Sequence, residues 1–367
     1  MAAGRIVLFG ATGYTGRLTA HAMVARGARP VLAGRSPERL ADLARDLGGL
    51  ETATADVHQP HTLRALVKRG DVLVTTVGPF TRWGDAAVDA AVGAGATYLD
   101  AAGEAGFLRR VFEHHSPRAR RAGIPLLTGF GWESIPGNVA AELALREAGE
   151  DAARVDLGTF MTGDTRGWTS GGTRASLAGA VLEPGFVWRN GIQTERGAAR
   201  VRSFELDGRR RPALSAAFSE HFTLPRRHPQ LREVNTYLGW FGPATRALQA
   251  LSVVGAGARR VPGFEAAIAA LVRRFAQGST GGPDARTRAR TVWWVVAVAY
   301  DSEGRELAHV HLAAGNGYEF TGRMLAWGAS RAAAGLDCVG AVGPAEAFGL
   351  AALESGCAEA GLHRLPE

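Results

Sequence analysis

Arg5 to Arg17 reads RIVLFGATGYTGR, and this stretch decides the fold. Four consecutive apolar residues, Ile6 to Phe9, predict a short buried strand, and the run that follows predicts a helix starting near Tyr14. Gly10, Gly13 and Gly16 mark the passage from one to the other with the spacing GxxGxxG. Glycine at such positions lets the chain turn sharply and lets backbone approach a pyrophosphate, whose charge meets free N–H groups and the positive end of a helix dipole. Gly10, Gly13 and Gly16 are therefore expected phosphate contacts, and Thr15 of the same turn is counted with them as cofactor-binding. The alternative reading, a glycine-rich turn with no ligand, loses ground to context: a second strand, Pro30 to Gly34, follows at the distance a βαβ unit requires.

The end of that second strand bears on which dinucleotide is bound. An acidic residue there would hydrogen-bond a ribose 2′-hydroxyl and repel a 2′-phosphate. This chain has Gly34-Arg35-Ser36 instead. A guanidinium grips phosphate bidentately and a serine hydroxyl can donate to it, so Arg35 and Ser36 point to NADP. The plainer reading keeps Arg35 as one more solvated arginine.

Alternation of strand and helix continues. Ser36 to Leu47 is an amphipathic helix with a Ser-Pro-Glu start, and Glu51 to Val57 a third strand. In such folds the carboxylate of Asp56 and the N–H of Val57 meet the adenine. A helix over His61 to Arg69 leads to a strand over Asp71 to Val77, and Val77, Gly78, Pro79 and Phe80 form a tight exit that falls near the nicotinamide. Helices over Asp85 to Ala94 and Arg109 to Ala122 alternate with strands over Thr97 to Ala101 and Ile124 to Thr128. The fold class is α/β, with an N-terminal Rossmann-type doubly wound parallel sheet.

The second half reads as an α+β domain with a mixed or antiparallel sheet. Expected strands are Arg154 to Thr162, Arg200 to Leu206 and Glu233 to Leu238; Thr291 to Tyr300 and Arg305 to Ala314 flank Asp301-Ser302-Glu303-Gly304 as a hairpin. Helices are expected over Thr169 to Val181, Tyr318 to Ala334 and Ala345 to Glu359. The expected division is 1–138 for the dinucleotide domain, 139–335 for a substrate and dimerisation domain, and 336–367 for a helical segment returning to the first. Phe241 to Ala276 reads as two apolar helices, serving either as packing or dimer contact or as a lid or peripheral membrane contact.

Composition narrows the classes. The 367 residues are 46% hydrophobic, enough for a sizeable core. The formal charge of +7 invites a nucleic-acid reading, but Lys68 is the only lysine, the arginines are scattered, and no aromatic-interleaved basic stripe appears. Tyr14, Tyr98, Tyr237, Tyr300 and Tyr318 all lack a lysine four residues on, which excludes a Tyr-x-x-x-Lys dehydrogenase. No GxSxG elbow is present and the histidines show no metal-ligand spacing, so no metal is expected. Cys338 and Cys357 suggest no disulfide framework, and no signal peptide or membrane-spanning run is read, which fits a cytoplasmic protein.

The motifs GATGYTG, AGRSPERL, VGPF, YLDAAGE, GFGWESIPGN and SGGTRAS, with GYEFTGRMLAWGASRA and VGPAEAFGLAALESGCAEAGL near the C-terminus, resemble those of the saccharopine dehydrogenase-like oxidoreductases, particularly the actinobacterial trans-acting enoyl reductase branch. The resemblance implies an NADPH-dependent reductase of an activated double bond. It carries cofactor contacts onto Gly10, Thr12, Gly13, Tyr14, Gly16, Arg35 and Ser36. It leaves open a polyketide or lipid-like enoyl chain, small or carrier-bound, against the C=N bond of an amino-acid-type substrate. A homodimer is expected. A non-catalytic NADP sensor is the third reading.

Hydride delivery to an electron-poor carbon needs a donor for the developing negative charge and then a proton. Tyr98 or Ser134 could donate to the oxyanion and Glu133 could relay the proton. Asn138, Thr173 and Ser176 are candidate substrate contacts. Asp100 and Glu104 could instead hold loops, and Glu133 or Asn138 could cap the helix after Pro136.

Overall fold

A computed structural model of the chain describes residues 4–163, 170, 171, 173, 185–195, 198–258 and 281–366. Its first layer is built from β1 (Ile6–Phe9), α1 (Tyr14–Ala25), β2 (Val31–Gly34), α2 (Pro37–Asp46), β3 (Thr52–Thr54), α3 (Pro60–Leu66), β4 (Val72–Thr75), α4 (Phe80–Ala94), β5 (Thr97–Asp100), α5 (Ala105–Arg110), α6 (Ser116–Ala122) and β6 (Pro125–Leu127). All strands of this sheet pair in parallel, in the order β3-β2-β1-β4-β5-β6, with β15 (Gly340–Ala341) added beside β6. The order reverses between β1 and β4. A crevice at such a reversal, beyond the carboxyl ends of the strands, is where open α/β sheets bind ligands.

Local chemistry explains most boundaries. Ser36 caps α2 by accepting from the Arg39 N–H at 3.3 Å, with Pro37 at the first helical position and Glu38 in the first turn. Helix α4 begins at Phe80, five residues before the expected Asp85, because Pro79 already fixes an extended residue ahead of it. The helix expected from Arg109 starts at Ala105. It passes through one π turn, Val111–His115, and stops at Gly123, whose φ of 70° is left-handed.

From β6 the chain enters α7 (Ile135–Ala148), buried along most of its length. The second sheet follows: β7 (Arg154–Gly163), β8 (Gly185–Arg189), β9 (Ile192–Glu195), β10 (Val201–Leu206), β11 (Arg209–Ala216), β12 (Glu233–Gly239), β13 (Thr291–Tyr300), β14 (Glu306–Ala314) and β16 (His363–Arg364). It is mixed, in the order β10-β11-β12-β7-β13-β14-β16, with β12 and β7 parallel and the β13–β14 hairpin antiparallel. The hairpins at Asn190-Gly191 and Asp207-Gly208 adopt positive φ at both turn residues, which favours a tight two-residue turn.

Between and after these strands lie α8 (Glu220–Arg227), α9 (Thr245–Ala258), α10 (Ala285–Arg288), α11 (Gly317–Ala333), α12 (Pro344–Phe348) and α13 (Leu350–Glu359). The helix expected over 345–359 is thus two, divided at Gly349. Besides β15, α11 also reaches the first layer: Gly322 sits so close to α1 that a Cβ there would come within 3.2 Å of Leu18 and Thr19, and the Gly4 N–H donates to Ala333. One apolar core, including Leu8, Val74, Val139, Val295 and Met324, fills the space between the two sheets around α7 and α11.

Most of the expected helix over 169–181 lies outside the described residues, as does the expected second apolar helix within 241–276 beyond α9. On α9, Leu251 and Val253 are exposed. No helix of the described residues is long and apolar enough to cross a membrane.

Candidate functional site

Beyond β1 the backbone turns at Gly10, φ 87°, and starts α1 with Gly13 at the N-cap. The fit is close enough to forbid side chains. A Cβ on Gly16 would lie 2.1 Å from the Gly10 carbonyl oxygen, and one on Gly10 would lie 2.8 Å from Thr76 Oγ1 and from Val77. The cap carries no side-chain acceptor, so the first-turn N–H groups of Tyr14 and Thr15 face the crevice side without an intrahelical partner. Such a cradle fits a pyrophosphate.

Around the adenosine end the geometry departs from expectation. Arg35 is exposed at the end of β2, free to swing toward a 2′-phosphate. Ser36 is committed elsewhere: its hydroxyl caps α2 and donates to Glu38 Oε2 at 2.9 Å. Arg39, passed over in the sequence, lies one helical turn beyond Arg35 and donates to the Thr12 carbonyl at 3.1 Å, tying α2 to the glycine loop. Asp56 Oδ1 accepts from the His58 N–H and the Asp56 N–H donates to Thr62, so this carboxylate fixes its own turn beside half-buried Val57. At the other end, Val77, Gly78 and Pro79 leave β4 through a cis Gly78-Pro79 bond, and the Phe80 N–H donates to Glu104 Oε1 at 3.0 Å. Glu104 is therefore a loop-holding residue. So is Asp100, which accepts from Ala102, Thr128 and Gly129 while burial pushes it up to about 6.

Above the carboxyl ends of β5 and β6 lies a narrow cleft lined by Trp132, Glu133, Thr173, Trp240, Trp293, Gly317, Tyr318 and Thr321. Glu133 packs over Gly103, where a Cβ would meet its Cγ at 2.8 Å. Burial, with the Glu104 carboxylate nearby, pushes Glu133 up to about 7, so this group can hold or release a proton near neutrality. Thr173 Oγ1 lies 2.7 Å from the Tyr318 hydroxyl, which also accepts from the Ser170 N–H at 2.8 Å.

Three expected contacts do not line this cleft. Tyr98 is fully buried in the layer beneath β5, on the same strand face as Asp100, and burial raises its phenol well above the usual range. Ser134 and Asn138 lie in a buried network between α7 and α8: Asn138 Nδ2 donates to the Ser134 carbonyl and to Ser219 Oγ, and its Oδ1 accepts from Thr223. With both amide hydrogens and the oxygen engaged, Asn138 holds α8 in place instead of meeting a substrate. The reason is position on α7, whose first turns face protein on every side. Ser176 lies outside the described residues.

The sequence reading also missed Trp132, Trp240, Trp293, Tyr318 and Thr321. Tyr318 had a local signal in Asn316, which caps α11 by accepting the Tyr318 N–H and so places this tyrosine in the first turn. Tyr14 has a second role too. Its ring meets that of Tyr318 edge-on at 5.2 Å, and its hydroxyl donates to the Pro283 carbonyl and accepts from Arg288. The glycine loop therefore touches the wall of the cleft. Among the described residues no group of three or more His, Cys, Asp or Glu could hold a metal.

Residues 6–127 match the saccharopine dehydrogenase NADP-binding domain. Over 184 residues the chain is 36% identical to a trans-acting enoyl reductase of Mycobacterium ulcerans (strain Agy99), a match covering 48% of this chain and 44% of that protein. Over 181 residues it is 38% identical to a putative trans-acting enoyl reductase of Mycobacterium tuberculosis (strain ATCC 25618 / H37Rv), covering 47% and 43%. The matches thus span less than half the length of these relatives. Among solved structures, apo saccharopine dehydrogenase (L-Glu forming) from Saccharomyces cerevisiae superposes over 99% of this chain and 100% of that one, with a TM-score of 0.60 and 12% identity, a likeness of fold. The parallel sheet in the order 3-2-1-4-5-6, with the glycine cradle at its reversal, is the part of the chain that matches the saccharopine dehydrogenase NADP-binding domain.

Proposed function

We propose that the protein is an NADPH-dependent reductase of a carbon–carbon double bond conjugated to a thioester, on a small or carrier-bound chain. The observation that carries this reading is the lining of the cleft. Three tryptophans and a tyrosine surround one carboxyl group, Glu133, and no cationic side chain is among the described lining residues. An amino-acid substrate brings a carboxylate that such a wall leaves unpaired, at a desolvation cost of several kcal/mol or so. A neutral conjugated thioester brings none. The name of the two mycobacterial relatives supports the same chemistry.

When bound, NADPH supplies the hydride. The chain's residues do the rest: the glycine cradle holds the pyrophosphate, Val77 to Phe80 floor the nicotinamide end, the aromatic wall excludes water, and Glu133 stores a proton beside the reacting carbons. Arg35 grips the 2′-phosphate, with Arg39 bracing the glycine loop beside it. Arg35→Asp is accordingly expected to weaken NADPH binding at least tenfold and NADH binding much less, read by nicotinamide fluorescence titration. An unchanged ratio of the two affinities would remove Arg35 from the pocket.

The reaction is tested by incubating the protein and NADPH with crotonyl- and octenoyl-pantetheine thioesters and, separately, with cyclic imino acids, following nicotinamide absorbance. Oxidation with the thioesters alone is the expected result. Turnover of the imino acids alone overturns the reading, and tight NADPH binding with neither turnover points to a sensor.

A further inference from the structure

Ser170, Thr173 and Tyr318 form a hydroxyl array that can carry its protons in either direction. Ser170 Oγ accepts from the Thr173 N–H at 3.1 Å, and its own hydroxyl lies 3.0 Å from Thr173 Oγ1. In one of the two orders Ser170 donates its proton to Thr173 Oγ1. Thr173 then directs its proton to the Tyr318 oxygen, 2.7 Å away. That oxygen also accepts the Ser170 N–H. In that order the phenol receives two hydrogen bonds and its own O–H is left to point into the cleft that Tyr318 lines.

Donation of two hydrogen bonds to a phenol oxygen stabilises the phenolate left when its proton departs. The ring is also fixed. Tyr14 meets it edge-on at 5.2 Å and Trp293 at 6.1 Å, while the Tyr318 N–H is anchored on the Asn316 side chain. A donor locked by packing and by neighbouring hydrogen bonds is what a proton transfer needs.

We infer that Tyr318 is the proton donor that completes the reduction, and that Thr173 is a positioning residue that orients and polarises its hydroxyl. The inference rests on the conjugated-reductase reading. Hydride addition forms a C–H bond at the β-carbon and breaks the C=C π bond, whose electron pair is left on the α-carbon and the thioester oxygen. The Tyr318 O–H bond then breaks and its proton forms the second C–H bond, at the α-carbon. The phenolate regains a proton from the Glu133 carboxyl in the same cleft, and water restores Glu133. The substrate gains two electrons and two hydrogens, and NADPH becomes NADP⁺.

The test compares wild type, Tyr318→Phe, Thr173→Val and Thr173→Ser with NADPH and crotonyl-pantetheine, measuring kcat, KM and, separately, NADPH affinity by fluorescence. Phenylalanine keeps the ring that packs on Tyr14, so NADPH affinity and thermal stability should stay near wild type. Tyr318→Phe is expected to lower kcat about a hundredfold or more with KM changed less than about threefold, the size expected for loss of a general acid. Thr173→Val is expected to lose roughly tenfold in kcat alone, the scale of one hydrogen bond to a charged group, and Thr173→Ser to recover it. A Tyr318→Phe enzyme within about threefold of wild type in kcat, or one that loses only in KM, overturns the inference and leaves the thioester reading standing. A wild-type protein that binds NADPH and consumes none with the thioester overturns both.

Discussion

Replacing Gly16 with alanine is expected to weaken NADPH binding by a hundredfold or more while the protein still folds. The new methyl would sit 2.1 Å from the Gly10 carbonyl oxygen, 2.9 Å from its carbonyl carbon and 3.0 Å from the Ala11 carbonyl carbon. These are backbone atoms, so no side chain can rotate away and the loop itself must open. Overpacking of this kind costs about 1–3 kcal/mol in stability. Cofactor affinity suffers more, since Gly10 and the first turn of α1 must stand in register for the pyrophosphate; a hundredfold loss corresponds to about 2.8 kcal/mol. Gly13→Ala is the built-in comparison. Its Cβ meets the Gly10 oxygen at a tolerable 3.2 Å, and its φ of −73° suits any residue. Titration of both variants should separate them by at least an order of magnitude; equal losses would mean that steric closure of the loop is not what holds the cofactor.

Glu220→Gln is expected to stabilise the protein above pH 8 and to flatten its loss of stability between pH 6.5 and 8. Glu220 is fully buried, with Oε1 resting 2.1 Å from where a Cβ on Gly137 would lie, which places the carboxyl against the backbone of α7. Burial pushes it up to about 8, against the countering hydrogen bonds of Ser134 and Ser219. The folded state therefore keeps a proton that the unfolded chain gives up above about pH 4.5, so stability falls as pH rises toward 8 and levels off beyond. Next to it, burial pulls His221 down to about 4. That residue acts in the opposite sense below pH 6.5, where the unfolded chain takes up a proton and the folded one does not. Above 6.5 His221 is neutral in both states and Glu220 acts without it, with Glu133 adding a smaller slope of the same sign up to about 7. The effect is on the order of a few kcal/mol. Urea denaturation at pH 6.5, 7.5 and 8.5 measures it, and parallel curves for wild type and variant would refute the assignment.

Legibility in the sequence followed the range of the forces involved. Strands β1, β2 and β4 were readable because a strand buried on both faces is mostly a run of apolar residues, and because serine and proline punctuate α2. The glycine loop was readable because close backbone approach admits one residue type. Strands β8, β9 and β11 were passed over although Asn190-Gly191 and Asp207-Gly208 signal their turns, since Arg209-Arg210-Arg211 reads as a surface run and pairs with Leu206, Glu205 and Phe204 only once the hairpin closes. At the site, Tyr98, Glu133, Ser134 and Asn138 were all chosen for lying on or beyond strand ends, and of these only Glu133 lines the cleft. Which way a side chain points there depends on α7 and α8 packing together, and no local pattern encodes that contact. Tyr318 enters the cleft by the same kind of distant contact, from a helix more than three hundred residues along the chain.

The parallel sheet at the N-terminus is finished by residues from the far end: β15 hydrogen-bonds to β6 through Gly340 and Ala341, and α11 covers α1. On a ribosome, the nucleotide-binding half therefore cannot close its edge or bury that helix face until α11 and β15 have emerged. Its last contacts form late and span most of the sequence, a costly loop closure that slows folding and leaves an open strand edge in the interim. The glycine loop waits on segments translated long after it.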